Sequence, residues 1–228
     1  AMSSNEIGSK LNSGLVAYYP FSGNANDATN HGYNGVVYGA TLTTDRFNKA
    51  KAAYSFSGLS SPDGLVSIVD NSIQVPNFNY NFGNKMSVSV WVNISSTVGS
   101  AGDRNGPFLD RRTDNAIDFA CLHYNSSPYG HFGALGAAVG TRTAAVDTWH
   151  NYIYTYDGAA LRVYLDGLLD AQVATTGNIG NNTSIMDMGK YVYHGGATYY
   201  QYFNGKLDDI RIYNRALTSQ EITYLAAH

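Results

Sequence analysis

A single cysteine, Cys121, leaves this chain of 228 residues without an internal disulfide. Its neighbours Phe119, Ala120 and Leu122 point to a buried thiol rather than a nucleophile. Charge is sparse as well. Asp, Glu, Lys and Arg make up 14% of the chain and the net charge is -3, so no basic field is present to hold a phosphate backbone, which argues against nucleic acid as a partner. The longest apolar runs fall far short of the ~20 residues that span a bilayer, and no membrane insertion is expected. No stretch shows the charged-then-apolar layout of a signal peptide, but Ala1-Met2-Ser3-Ser4 reads as a cloning remnant, so this says nothing about the natural precursor. Residues 1–10 are expected to be a disordered lead-in. With no linker-like break near the middle, 11–228 is expected to form one domain.

What the chain has in quantity is glycine (24) and tyrosine (19), arranged as short alternating stretches. Leu15 to Phe21, Val36 to Leu42, Ala53 to Phe56, Leu65 to Val69 and Met86 to Ile94 read as strands. So do Pro107 to Arg112, Ile117 to Tyr124, His131 to Val139, His150 to Tyr156 and Leu161 to Leu165. Asp157-Gly158 and Asp166-Gly167 are hairpin signals. The pattern predicts an all-β fold, a two-sheet antiparallel jelly-roll sandwich closed by a short C-terminal helix. That helix announces itself at Thr218, where Glu221 three residues on completes a capping box ahead of Ile222 and Leu225.

The most informative stretch runs from Phe203 to Glu221. Strict alternation over Leu207 to Tyr213 puts Leu207, Asp209, Arg211 and Tyr213 on one face and Asp208, Ile210 and Ile212 on the other. A carboxylate among isoleucines needs a partner. A metal is one answer for Asp208; capping of a turn at the strand's entry, or pairing with Arg211 or Arg215, is the other.

Leu15-Val-Ala-Tyr-Tyr-Pro-Phe-Ser-Gly-Asn-Ala-Asn-Asp27, Asn34-Gly35, Ala53-Tyr-Ser-Phe-Ser-Gly58, Ser87-Val-Ser-Val-Trp-Val92, Trp149-His150, Val163-Tyr-Leu-Asp-Gly167 and Gly205 to Leu217 occur in that order along nearly the whole chain. Together they resemble the laminin-G-like domains of the concanavalin A-like lectin/glucanase group. The resemblance implies a module of a secreted or surface bacterial protein, carried beside other domains of a larger protein. It also implies a structural calcium held by Asp27, Asn30, Asn34 and Asp208, a chemistry consistent with that ion's preference for six to eight oxygens. The alternative for the first loop is an uncharged Asx-turn network.

Retaining glucanases of the same fold use two facing glutamates. This chain has only Glu6, in the expected lead-in, and Glu221, in the capping box, so that mechanism is excluded. Asp110, Asp114 and Asp118 flank a charged turn that reads as solvated. A lyase would need an arginine, a histidine and a tyrosine, and Arg112, His123 and Tyr124 are of the right types without the expected motif spacing. No catalytic residue is assigned.

A saccharide site needs flat apolar faces and planar polar groups. The densest supply is the aromatic loop from Tyr191 to Tyr202, with Gly195-Gly196 at its middle, and a second supply runs from His123 to Tyr129. The expected ligand is a polysaccharide or other glycan, stacked on Tyr193, Tyr199 or Tyr200, with His123, His194, Arg111 and Asn125 hydrogen bonding and Trp91 a further platform. Trp149 is expected in the core. A protein-interaction or adhesion domain is the second reading, and a lyase or Asp-dependent hydrolase the third.

Overall fold

A computed structural model describes residues 4–58, 70–95, 106–113, 116–124, 127–180, 185–194 and 198–228, with the side chains of 4–5 and 192–200 excepted. The predicted strand Leu65 to Val69 lies outside the described residues. The strands are β1 (Leu15–Tyr19), β2 (Val36–Tyr38), β3 (Thr41–Thr43), β4 (Ala53–Ser57), β5 (Ser72–Val75), β6 (Met86–Ile94), β7 (Pro107–Thr113), β8 (Ala116–Tyr124) and β9 (Ser127–His131). They continue as β10 (Ala137–Val139), β11 (Trp149–Tyr156), β12 (Ala160–Leu165), β13 (Leu168–Ala174), β14 (Met186–Met188), β15 (Lys190–His194), β16 (Thr198–Tyr202) and β17 (Asn204–Tyr213). The helices are α1 (Ser4–Lys10) and α2 (Ser219–Ala227).

Two antiparallel sheets form the sandwich. One runs β13-β12-β11-β6-β17-β4-β3 with β1 beside β17, the other β10-β9-β8-β7-β14-β5-β2. Met86, Val88, Val90, Val92 and Ile94 of β6 point inward and are buried with Phe108, Phe119 and Cys121 of the facing sheet. Phe108 meets Tyr152 edge-on across the interior with ring centroids 4.9 Å apart.

Where the period of two runs unbroken, the sequence places strands well; where it is interrupted, the chain does something else. Val36 to Leu42 is not one strand. Gly39, at φ 77° and with no room for a side chain beside the Asp70 carbonyl, breaks it into β2 in one sheet and β3 in the other. His131 to Val139 likewise folds back through a 3-10 turn at Gly133–Leu135, so that Ala137 pairs with His131. Asp166 and Gly167, at φ 50° and 78°, make the expected two-residue hairpin, with Leu165 paired to Leu168.

Helix α2 covers part of the outer face of the eight-stranded sheet. The capping box at Thr218 is present, with Glu221 N–H donating to the Thr218 hydroxyl at 3.3 Å and Thr218 N–H to the Glu221 carboxylate at 2.8 Å. Ile222 and Leu225 of α2 bury against Ile153 and Tyr213, and Leu11 joins them. Residues 4–10, expected to be disordered, instead form α1, which packs on α2. Arg215 fastens this end, donating to the Lys10 and Ser13 carbonyls and to Glu221.

Candidate functional site

The alternation in β17 is interrupted at the position that matters most. Between Asp208 and Arg211 the strand carries one residue more than β6 opposite, with Asp209 in the left-handed region at φ 53°. The bulge advances the phase by one. Leu207, Ile210 and Ile212 therefore share the core, while Asp208, Asp209 and Arg211 emerge together on the outer face. Asp208 is not among the isoleucines, and its partner is neither Arg211 nor Arg215. Arg46 donates to Asp208 at 2.5 Å and to Asp209 at 2.9 Å, and Arg211 pairs with Asp209 at 2.8 Å.

The other three residues named for calcium lie in the first loop. Asp27 Oδ1 accepts from the N–H groups of Tyr18 at 3.1 Å and Thr29 at 2.9 Å. Its Oδ2 accepts from Tyr33 N–H at 3.4 Å, and the Thr29 hydroxyl lies 2.8 Å from both oxygens. Asn34 Oδ1 accepts from Asp27 N–H at 3.0 Å, and Asn30 is an exposed turn residue at φ 66°. Calcium requires six to eight oxygen lone pairs aimed at one point. Here the Asp27 oxygens face N–H and O–H donors, and a guanidinium occupies Asp208. As placed, this donor set does not fit the ion, and no group of three or more His, Cys, Asp or Glu among the described residues converges on another metal position.

A pocket of about 340 Å³ opens on the outer face of the seven-stranded sheet. Its floor is Ala120 and Leu122, its rim Arg112, Tyr124, Tyr129 and His131, and one wall is Tyr191 and Gln201, a directly opposed pair on the β15–β16 hairpin. The Tyr124 and Tyr129 rings lie 5.6 Å apart. Arg112 stacks 4.5 Å from the Tyr191 ring and makes a bidentate pair with Asp110 through Nε, at 2.6 Å, and Nη2. Burial pushes the Asp110 carboxyl up to about 6 against the pull of Arg112. His131 is held below its ordinary value by burial and by Arg112, and His123 is pushed by burial down to about 4. Both imidazoles are neutral at pH 7.

The sequence candidates distribute unevenly over this geometry. His123 borders the pocket, but its ring is nearly inaccessible and its Nδ1 shares a hydrogen bond with the Tyr152 hydroxyl at 3.0 Å. Arg111 is fully buried on the core side, 3.2 Å from Asp118 and donating to the Tyr80 carbonyl at 2.8 Å, so it is unavailable to a ligand. A bulge between Arg111 and Arg112 makes Arg112 the arginine of the pocket. Asp110 and Asp118, expected in a solvated loop, are buried in ion pairs; Asp114 and Asn125 lie outside the described residues. Tyr193, His194, Tyr199 and Tyr200 belong to β15 and β16, so the expected loop is a hairpin with Tyr193 opposite Tyr199. Tyr129, His131, Tyr191 and Gln201 are additions, of which Tyr129 and Tyr191 stood at the ends of the two aromatic stretches. Trp91 lies elsewhere, on the outer face of the eight-stranded sheet.

The chain belongs to the concanavalin A-like lectin/glucanases superfamily: the laminin-G-like family model of that description matches residues 67–223. No curated protein matches. Among solved structures, domain 4 of AbnA, a GH43 extracellular arabinanase from Geobacillus stearothermophilus, in complex with arabinotriose, aligns with TM-score 0.67 at 19% identity, over 93% of this chain and 98% of that one. The botulinum neurotoxin serotype D ligand binding domain in complex with N-acetylneuraminic acid aligns with TM-score 0.68 at 14% identity, over 99% of this chain and 52% of that one. A Trypanosoma rangeli sialidase mutant displaying trans-sialidase activity aligns with TM-score 0.62 at 17% identity, over 98% and 37%. The chain thus matches nearly all of the arabinanase domain but about half of the neurotoxin domain's length.

Proposed function

We propose that the chain is a non-catalytic glycan-binding module of a secreted or surface protein, and that its ligand is a neutral saccharide held in the pocket between β8, β9 and the β15–β16 hairpin. The observation that carries this is the set of tyrosines, Tyr124, Tyr129 and Tyr191, around a fixed arginine edge. Ring faces take the C–H side of a sugar, and Arg112, Gln201 and His131 supply planar donors and acceptors for hydroxyls. The charge of Arg112 is matched by Asp110 and the histidines are neutral, so the pocket offers no net charge to a uronate or sialate carboxylate.

The same balance speaks against catalysis. Arg112, His123 and Tyr124 do meet here, the trio a lyase would need. Yet an arginine already paired with Asp110 leaves a uronate carboxylate unneutralised, and a histidine with depressed basicity that bonds Tyr152 is a poor proton acceptor. Glu221, in the first turn of α2, is bound to Arg215 and Thr218.

Arabinotriose, the ligand of AbnA domain 4, is the first probe, within an array of neutral and acidic polysaccharides. Binding confined to neutral glycans is expected, with Tyr129→Ala weakening it about tenfold, the scale of one lost aromatic contact. Retention of a protein partner with no glycan bound would favour the adhesion reading, and product release from a polysaccharide would establish an enzyme; either result overturns the proposal.

A further inference from the structure

The chain has two tryptophans, and the fold brings them together away from the pocket just described. Trp91 on β6 pairs with Asn151, and Trp149 on β11 pairs with Asn93, so the two indoles are diagonal neighbours on the outer face of the eight-stranded sheet. Trp149 is half-buried rather than in the core. Together with Phe47, Arg46, Ala227 and His228 they line a depression of about 220 Å³. Phe47 is 66% exposed. Arg46 is its anchor: its guanidinium lies 4.5 Å from the Phe47 ring and 4.8 Å from that of Trp91, and its Nη1 and Nη2 donate to Asp208, Asp209 and the His228 carbonyl.

We infer that this depression is a second saccharide site, one that takes a single neutral sugar ring against Trp91, Trp149 and Phe47. Three aromatic side chains, Phe47, Trp91 and Trp149, converge on one opening, and their rings offer apolar faces to the C–H side of a sugar. Asp208 and Asp209 lie beneath with Arg46, which disfavours an anionic ligand. The volume is below the about 300–1,000 Å³ of sites for larger ligands and suits one ring. Because the first pocket opens on the other sheet, the module would present a sugar site on each broad face and could engage two chains of a polysaccharide or two stretches of one.

Tryptophan emission reads this site alone, since the first pocket contains no tryptophan. The intact protein is titrated with arabinose, xylose, galactose, glucose, mannose, N-acetylglucosamine and their methyl glycosides, recording emission and acrylamide quenching. At least one sugar is expected to give a saturable shift with protection from quencher, unchanged in Tyr129→Ala and weakened at least fivefold in Phe47→Ala. That exposed position can be truncated without disturbing the core, and both reporting indoles remain. Absence of a saturable response to every sugar in the folded protein, or a response that disappears with Tyr129→Ala and survives Phe47→Ala, overturns the second site. The first pocket is scored separately by its own loss in Tyr129→Ala on the glycan array.

Discussion

Asp187 on β14 stands directly opposite Asp110 on β7, two carboxylates side by side on the outer face of the seven-stranded sheet. Arg112 serves Asp110, whereas Asp187 has Lys190 only at 3.7 Å, because Lys190 is bonded to Asp70 at 2.7 Å. Burial, with help from Asp110, pushes the Asp187 carboxyl up to about 7. A folded-state value above the unfolded one means that the native state binds the extra proton, so this group favours folding at low pH and its contribution is lost as pH rises through about 7. Asp187→Asn is expected to stabilise the protein at pH 8 by about 1–3 kcal/mol and to flatten the slope of stability between about pH 4 and 7. Urea unfolding across pH checks it; an unchanged slope would refute it.

Arg46 holds two nearly buried carboxylates at once. Its removal strands Asp208 and leaves Asp209 to Arg211 alone, and Arg46→Ala is expected to cost about 3 kcal/mol in denaturant unfolding. Lysine cannot reach both oxygens with a planar fork, so Arg46→Lys should recover less than half of that loss. Simultaneous Asp208→Asn and Asp209→Asn should make the Arg46 substitution nearly silent.

The guanidinium at Asp208 and the donors around Asp27 leave no place for calcium in the arrangement described. Calcium or a chelator is therefore expected to leave the melting temperature within about 1 °C, where a cation bound to the native state alone would raise it by mass action. A reproducible rise with calcium, together with stoichiometric metal in elemental analysis, would show that the first loop rearranges to bind it.

The last helix offers a graded test. Thr218→Ala removes one cap contact and is expected to cost about 1 kcal/mol. Glu221→Ala also deprives Arg215 of its partner at 2.6 Å and loosens its hold on the Lys10 and Ser13 carbonyls, so a larger loss is expected, with earlier exchange of the amides that follow α1. Equal losses from the two changes would show that the clasp adds nothing beyond the cap and would overturn this expectation.

What could be read directly was what depends on near neighbours. Met86 to Ile94 was legible because alternation and burial share one period, the Asp166-Gly167 hairpin because few residue pairs adopt two left-handed conformations in succession, and α2 because Thr218 and Glu221 satisfy its first turn by themselves. Cys121 was legible for the same reason: its neighbours already describe an interior. The faces of β17 were misjudged because a bulge is one residue long and leaves no mark in composition, yet it moves Asp208 from one side of the sheet to the other. Arg111 was chosen over Arg112 through the same kind of slip at β7. Trp149 was assigned to the core because hydrophobicity alone does not say which of two faces a strand turns to solvent.

The amino-acid order, through its alternation, turn pairs and capping residues, determined an all-β sandwich with a short closing helix, since each of those signals acts within a few residues, and the ordered motifs carried the resemblance to laminin-G-like domains. Only the tertiary structure decided who answers Asp208, an arginine 162 residues away, and which aromatics gather into pockets. Those choices are set by sheet register and by the order in which distant strands lie side by side, and neither is encoded in any local stretch of the chain.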